Sequence, residues 1–296
     1  MGRDRTVCVV AAVILAAGVA RAGDHGGGDL DAIRQRGVLR HLGIPYAHFV
    51  TGSGDGFDVE LVRRFAQRLG VSYEFVETDW PEVLGDLTGR RVSPQRPDPE
   101  SARAVPIRGD VVATGMTVLP WRARSAAFSS AVFPTQVWVV ARADSRLSPI
   151  QPSGRLLDDI AAVKALLSGR TLLGVPDTCL DPSLYKLEGT GARALLRRLR
   201  LDEVAPALIQ GEGDLALLDV ADAMVALQRY PGKMKVIGPV SVPQSMAVAF
   251  RRDAPRLREE FESFLAEIRR DGTYDALIAT YFPEAPVYFR DFFAQR

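Results

Sequence analysis

The chain of 296 residues has only two cysteines and three histidines. So few thiols exclude a fold held together by disulfides, and so few Cys and His residues disfavour a structural zinc cluster. Charge of one sign is also missing, because 37 Lys and Arg residues nearly balance 36 Asp and Glu residues. Without an excess of positive charge, the protein lacks the electrostatic field that attracts nucleic acids or anionic membranes.

Long apolar runs are absent after residues 1–22. This first segment begins with two arginines, continues with a 14-residue apolar run and ends with Ala20-Arg21-Ala22. A basic start, a short apolar run and a small-x-small site are typical of a secretory signal peptide, whereas a membrane-spanning helix needs about 20 apolar residues. We therefore expect cleavage near Ala22 and a periplasmic or secreted protein, with an uncleaved anchor as the alternative. Residues 23–28 are expected to form a flexible leader.

The rest of the chain alternates between strand and helix patterns. Apolar residues spaced by four from Phe57 onward predict an amphipathic helix that ends at Gly70. The proline-rich residues 88–107 predict a surface loop. Alternation in two blocks predicts two α/β units, with a largely parallel sheet in each. Other predicted strands are 38–44, 71–77, 110–114, 133–142, 171–175, 214–218 and 236–250, and other predicted helices begin at Asp79, Leu156, Pro182 and Leu257.

A first candidate binding segment runs from Gly115 to Arg122, directly after a predicted buried strand. Ligands of open α/β sheets bind beyond the carboxyl ends of the strands. The hydroxyl of Thr117 and the guanidinium of Arg122 are suited to hold a carboxylate there, since arginine forms bidentate hydrogen bonds. The alternative is that Thr117 caps a helix and Arg122 lies on the surface.

A second candidate segment follows the strand that ends near Val175. Asp181-Pro182 indicates the start of a helix, where free backbone N–H groups can bind an anion; an ordinary strand–helix turn explains the pattern equally well. The thiol of Cys179 also suggests a nucleophile. We disfavour that hypothesis because no histidine lies near Cys179 in the sequence.

Three further side chains follow predicted strands. Asp219 ends an apolar strand, and its carboxylate suits an ammonium group; the alternative is a helix cap. Tyr46 and Trp80 are suited to wall a pocket, with core packing as the alternative.

In their order and spacing, these motifs resemble the family 3 periplasmic solute-binding proteins, the amino-acid receptors of ABC importers. The resemblance covers roughly residues 30–285. Motifs similar to those of the family are Gly56 to Leu61, Asp79-Trp80, Gly115-Met116-Thr117 with Pro120 and Arg122, Phe128-Ser129, Gly213-Asp214 leading to Asp219, and Asp271-Gly272-Thr273-Tyr274.

The resemblance implies an α/β fold of two lobes, the type II periplasmic-binding-protein fold, with two hinge strands and a ligand cleft between the lobes. The expected crossings lie near 132–136 and 242–246. Lobe 1 is then expected to comprise residues 29–133 and 245–296, and lobe 2 residues 134–244.

It also implies a function without catalysis, cofactor or metal. A monomeric periplasmic receptor would capture an amino acid or similar small carboxylate by lobe closure and deliver it to the membrane subunits of an ABC permease. Arg122 of lobe 1 would pair with the α-carboxylate, and Asp219 of lobe 2 would take the ammonium. The other implied contacts are Thr117 and the amides of Thr178 and Cys179 for the carboxylate, the Gly115 carbonyl for the ammonium, and Tyr46 and Trp80 for the side chain.

The sequence departs from the family pattern at Leu119, where Thr or Ser is usual, and at Gly43, where a polar or acidic residue is common. We therefore expect a more apolar or larger side-chain pocket. One alternative is an enzyme resembling cyclohexadienyl dehydratases, with Asp222 or Glu212 as general acid. Another is a sensory module resembling the input domains of receptors or of membrane-bound lytic transglycosylases.

Overall fold

Two five-stranded sheets, each at the centre of an α/β lobe, dominate the computed structural model, which describes residues 29–294. The predicted signal peptide and leader lie outside the described residues. The strands are β1 (Val38–Gly43), β2 (Ser72–Glu77), β3 (Arg90–Arg91), β4 (Arg103–Ala104), β5 (Val111–Val112), β6 (Ala126–Phe128), β7 (Phe133–Thr135), β8 (Val137–Arg142), β9 (Thr171–Gly174), β10 (Arg193–Leu196), β11 (Leu215–Asp219), β12 (Met234–Pro239), β13 (Gln244–Met246) and β14 (Ala249–Arg251).

Helices cover both sheets and continue beyond the last strand. No helix within residues 29–294 is both long and apolar enough to cross a membrane. The helices are α1 (Asp29–Arg36), α2 (Phe57–Leu69), α3 (Val83–Thr88), α4 (Pro120–Ser125), α5 (Leu156–Ala165), α6 (Leu201–Ile209), α7 (Val220–Arg229), α8 (Pro255–Arg270), α9 (Thr273–Tyr281), α10 (Ala285–Tyr288) and α11 (Arg290–Ala294).

The two sheets follow one plan. Lobe 1 has the order β2-β1-β5-β14-β6, and lobe 2 has the order β10-β9-β11-β8-β12. Four strands of each sheet run in the same direction, whereas β14 in the first sheet and β8 in the second run antiparallel to both of their neighbours. The prediction of largely parallel sheets is therefore confirmed, except for one antiparallel strand in each sheet. The reason is that β8 enters lobe 2, and β14 re-enters lobe 1, directly from the connection between the lobes.

The hinge expected from the resemblance is the antiparallel pair β7 and β13, in which Phe133 lies opposite Met246. The single strand predicted over 133–142 is wrong, because the chain changes sheets at Gln136. The Gln136 side-chain amide donates to the Ser241 carbonyl at 2.9 Å. Likewise, the strand predicted over 236–250 divides into β12, β13 and β14. The lobe boundaries at 133/134 and 244/245 stay a prediction.

Local sequence signals place several elements correctly. Helix α2 ends at Gly70, which has a left-handed φ of 73°. The apolar stripe of α8 is buried as predicted. An aromatic cluster then ties lobe 1 to the hinge, with the ring of Phe282 4.6 Å from that of Phe133 and 4.7 Å from that of Phe49.

Other local predictions need correction. The helix expected to begin at Asp79 starts at Val83, because the Asp79 carboxylate accepts the Glu82 N–H at 3.0 Å and closes a preceding turn. Residues 88–107 contain the short hairpin β3–β4 as well as loop. The helix expected at Pro182 is a single 3-10 turn, followed by Lys186 in a left-handed conformation.

Candidate functional site

The lobes meet at a hydrogen bond between two of the predicted site residues. Tyr46 lies in the turn after β1, where its backbone pairs with Val50. Its buried hydroxyl donates to the Oδ2 atom of Asp219, at the end of β11. Burial and the neighbouring carboxylates hold the pKa of Tyr46 well above its ordinary value, so the phenol is protonated and serves as a donor. The geometry brings an aromatic residue of lobe 1 directly onto the acid of lobe 2.

Asp219 is both a helix cap and a cleft residue. Its Oδ1 atom accepts the Asp222 N–H at 3.1 Å and caps α7, so the alternative interpretation as a cap is correct. Its Oδ2 atom faces Tyr46, and the whole residue is 0% exposed. Burial raises the pKa of Asp219, while the donated hydrogen bonds oppose that rise.

The buried thiol of Cys179 lies beside the acid and within electrostatic range of the predicted cation. Its Sγ atom is 3.7 Å from Asp219 Oδ2. Burial and the charge of Asp219 raise the pKa of Cys179, whereas the charge of Arg122 lowers it. Since the net shift is upward, the thiol stays protonated at neutral pH, which argues against a nucleophilic cysteine.

Arg122 is a buried cation in helix α4, not a surface residue, and is 2% exposed. Its Nη1 atom donates to the Thr117 carbonyl at 3.0 Å. Its guanidinium carbon lies 5.2 Å from the ring of Trp80 and 5.3 Å from that of Trp121. Within residues 29–294, no Asp or Glu forms an ion pair with it. Two aromatic faces thus hold a guanidinium that has no carboxylate partner in the described part of the protein.

Gly115 stands where only glycine fits. Its φ is +59°, and a Cβ atom there would lie 2.5 Å from the Phe49 ring and 2.7 Å from the Tyr46 ring. Its N–H donates to the Asp58 carboxylate at 2.6 Å. Burial raises the pKa of Asp58 to about 7, although this hydrogen bond opposes the shift. Asp58 therefore holds the turn that leads to Thr117 and Arg122.

In the segment after β9, the side chains form hydrogen bonds to the backbone of the same segment. The Thr178 hydroxyl donates to the Val175 carbonyl at 2.8 Å and accepts the Leu180 N–H at 3.0 Å. The Tyr185 hydroxyl donates to the Cys179 carbonyl. Because only a 3-10 turn follows, a helix terminus does not supply the anion site predicted there.

Two cavities lie along the interface between the lobes, and Pro45 lines both of them. The first, of about 130 Å³, reaches from Tyr46 to Asp222. The second, of about 180 Å³, has more apolar walls and includes Trp80 and Thr178. Tyr46 lines the first cavity and Trp80 the second, and their rings meet edge to face with centroids 6.0 Å apart. Both cavities therefore border the predicted site residues.

Sequence reasoning missed several residues of the site. Two of them could have been found, because Asp58 lies within the Gly56–Leu61 motif and Trp121 within the segment from Gly115 to Arg122. Nothing in the sequence pointed to Tyr185. Of the two proposed general acids, Asp222 is buried beside Asp219. Glu212 instead precedes the opposite end of β11 and pairs with Arg197 at 2.8 Å, so the structure places it away from the cleft. The described part of the chain contains no group of three His, Cys, Asp or Glu residues that would hold a metal.

Comparisons with known proteins show which proteins this chain is similar to. Residues 107–284, more than half of the chain, match the bacterial extracellular solute-binding proteins, family 3. The amino-acid-binding protein AabA of Dichelobacter nodosus is 24% identical over 237 residues, which cover 78% of this chain and 81% of that protein. A mutant of ArgBP from T. maritima superposes with a TM-score of 0.67 at 25% identity, covering 86% of this chain and 99% of the other.

Another relative is matched over only part of its length. It is the membrane-bound lytic murein transglycosylase F of Desulfosudis oleivorans, which is 26% identical over 230 residues. These residues cover 77% of this chain but only 44% of the transglycosylase. The chain thus spans less than half the length of that relative.

Proposed function

The chain belongs to the bacterial extracellular solute-binding proteins, family 3, and we propose that it captures an amino acid or similar small carboxylate between its lobes. The observation that carries this proposal is that each lobe supplies one buried ionisable group to the same interface, a base from one lobe and an acid from the other. Lobe 1 supplies the unpaired guanidinium of Arg122, and lobe 2 supplies the carboxyl group of Asp219. A zwitterion is the small molecule that compensates both.

Burial explains why the ligand is recognised by its charges. A buried ion without a partner is costly, and a ligand carboxylate that pairs with Arg122 removes that cost. Thr117 and the Thr178 and Cys179 amides complete the proposed carboxylate site. On the other side, the ligand ammonium displaces the Tyr46 hydroxyl from Asp219, helped by the Gly115 carbonyl.

Closure follows from the position of these groups on different lobes. A ligand that contacts both lobes binds the closed form better than the open form, and this difference in affinity shifts the equilibrium toward closure. The Tyr46 and Trp80 rings then flank the ligand side chain. We propose further that the chain is exported, with cleavage near Ala22, and acts as a monomer that delivers its ligand to the membrane subunits of an ABC permease.

Calorimetry with two variants tests the assignment. In a titration with the standard L-amino acids, R122A and D219A are each expected to lose a charge-assisted hydrogen bond worth about 1.5–3 kcal/mol. That loss weakens binding of the best ligand by roughly 10- to 150-fold.

R124A serves as the matched control, because Arg124 lies in the same helix but is exposed. Its affinity should equal that of the wild type. Unchanged affinity in both R122A and D219A would contradict the site, and the absence of binding by any amino acid would contradict the function.

A second candidate function rests on Asp222, whose buried carboxyl group has a pKa well above its ordinary value and is therefore a protonated acid beside the cleft. A dehydratase-like enzyme would use such a group as general acid. Assays with prephenate and arogenate separate the two functions, since a receptor binds its ligand tightly and forms no product.

A further inference from the structure

Asp222 carries an oxygen atom that the protein itself does not satisfy. The residue lies in the first turn of α7 and is 5% exposed. Its backbone N–H is used by Asp219, whereas its Oδ2 atom is buried without a hydrogen-bond partner among the described residues. Buried polar atoms in folded proteins nearly always have a partner. The side chain is therefore arranged for a donor that comes from outside the chain.

The unsatisfied carboxyl group lines the cavity of about 130 Å³ next to the proposed ammonium site. A single water needs only about 10–15 Å³ of such space, so the cavity accepts a larger group. Its walls near Asp222 are apolar, formed by Leu218, Val225 and Ala226. The side chain of a ligand held at Asp219 would extend along α7 into this cavity. The polar atom that it would meet there is Oδ2 of Asp222.

The charges around Asp222 favour a cation. Asp219 and Asp202 both raise the pKa of Asp222, in addition to its burial, and the phenol of Tyr46 and the thiol of Cys179 beyond Asp219 are neutral donors. A positively charged group placed between these acids is attracted by all of them. A second carboxylate on the ligand would meet a single donor here, the protonated Asp222, and the neighbouring Asp219 and Asp202 would repel it.

The cavity also has two arginines at its rim, and neither reverses this preference. Arg200 is exposed and already paired with Asp202 at 3.0 Å. Arg229 is exposed and lies over the Tyr230 ring, 5.6 Å from its centroid. Exposed charges are screened by water, whereas the buried Asp222 acts at short range in a medium of low polarity.

We propose that Asp222 is a specificity-determining residue, which accepts a hydrogen bond from a cationic group on the ligand side chain and selects against a second carboxylate. This inference rests on the proposed function. When the cation binds, the proton held by the carboxyl group leaves to solvent, so binding of a cationic amino acid releases a proton and binding of a neutral one does not.

Two ligands of nearly equal shape test the inference by calorimetry at neutral pH. L-arginine carries a guanidinium and L-citrulline a neutral urea group. The wild type is expected to bind arginine at least about tenfold tighter than citrulline. In D222N this ratio should fall to within about threefold, while the affinity for citrulline is retained. Titration in two buffers of different ionisation enthalpy should show proton release with arginine in the wild type and not in D222N.

D158N is the control, because Asp158 lies in helix α5, is exposed and does not border this cavity; it should keep the wild-type ratio. Equal binding of arginine and citrulline by the wild type, or tighter binding of L-glutamate than of arginine, would overturn the inference and leave the proposed function intact. The wild-type measurements decide this even without the variant. Failure of every amino acid to bind would instead overturn the proposed function, and this inference with it.

Discussion

Asp58 links the stability of lobe 1 to the ligand site through a single buried carboxyl group. Its pKa rises from the ordinary value of 3.8 to about 7, because burial disfavours the charged form. The folded state therefore binds the proton more tightly than the unfolded state. The stability contributed by that proton is fully present below about pH 4 and is lost as the pH rises through about 7.

We predict that D58N removes this loss. The side-chain amide oxygen that the substitution introduces can accept the Gly115 N–H, which the Asp58 carboxylate accepts at 2.6 Å in the wild type. The free energy of unfolding of the variant, minus that of the wild type, should increase by up to about 4 kcal/mol between about pH 4 and pH 7. Urea unfolding at several pH values measures this difference. A difference that stays constant with pH would show that Asp58 is charged throughout.

Helix α2 shows how two glycines at its ends differ in what they contribute. Both have positive φ, 132° at Gly56 and 73° at Gly70. A Cβ atom at Gly70 would meet nothing within 4 Å, whereas one at Gly56 would overlap the Phe49 carbonyl group. The backbone conformation is thus the only constraint at Gly70, while Gly56 also allows a close approach of the chain that leads to the site.

We predict that G70A lowers the free energy of unfolding by about 1–2 kcal/mol, the cost of a left-handed conformation for a residue with a Cβ atom. G56A should lower it by roughly a further 1–3 kcal/mol, because the methyl group overlaps the backbone of Phe49. Chemical denaturation of both variants makes the comparison, and an equal effect of the two would contradict the steric argument.

At the scale of the whole molecule, a buried hydrogen bond joins the two lobes at the proposed ligand site. The Tyr46 hydroxyl and the Asp219 carboxylate come from different lobes and are both buried. This bond supports the closed form. It also competes with the proposed ligand ammonium for the same oxygen atom.

We predict that Y46F opens the molecule in the absence of amino acid. Loss of a hydrogen bond to a charged group, worth about 1.5–3 kcal/mol, shifts the balance toward the open form by about tenfold or more. Small-angle X-ray scattering should record a larger radius of gyration. Y73F is the control, since the Tyr73 hydroxyl bonds to His41 within lobe 1 at 2.8 Å. Equal radii for Y46F and the wild type would contradict the closing role of Tyr46.

The sequence by itself determined the features that depend on short stretches of chain. The four-residue spacing of α2 and its terminal glycine, the stripe of α8 and the cap at Asp219 follow from local periodicity and local hydrogen bonding, and all are found in the structure. The order of the motifs along the chain also indicated the family, although the sequence identity to its members is low, 24% for the amino-acid-binding protein AabA.

Only the tertiary structure decided which strands run antiparallel, at which residue the chain changes sheets, and which contacts the site residues make. The break at Gln136 depends on Ser241, which is distant in the sequence, and no local pattern encodes it. The environment of Arg122 is similar, since the Trp80 ring reaches it from a distant segment of the chain. The unsatisfied oxygen of Asp222 is defined by what surrounds it after folding. Burial and long-range contact are properties of the assembled chain, and they set the charges on which the proposed function depends.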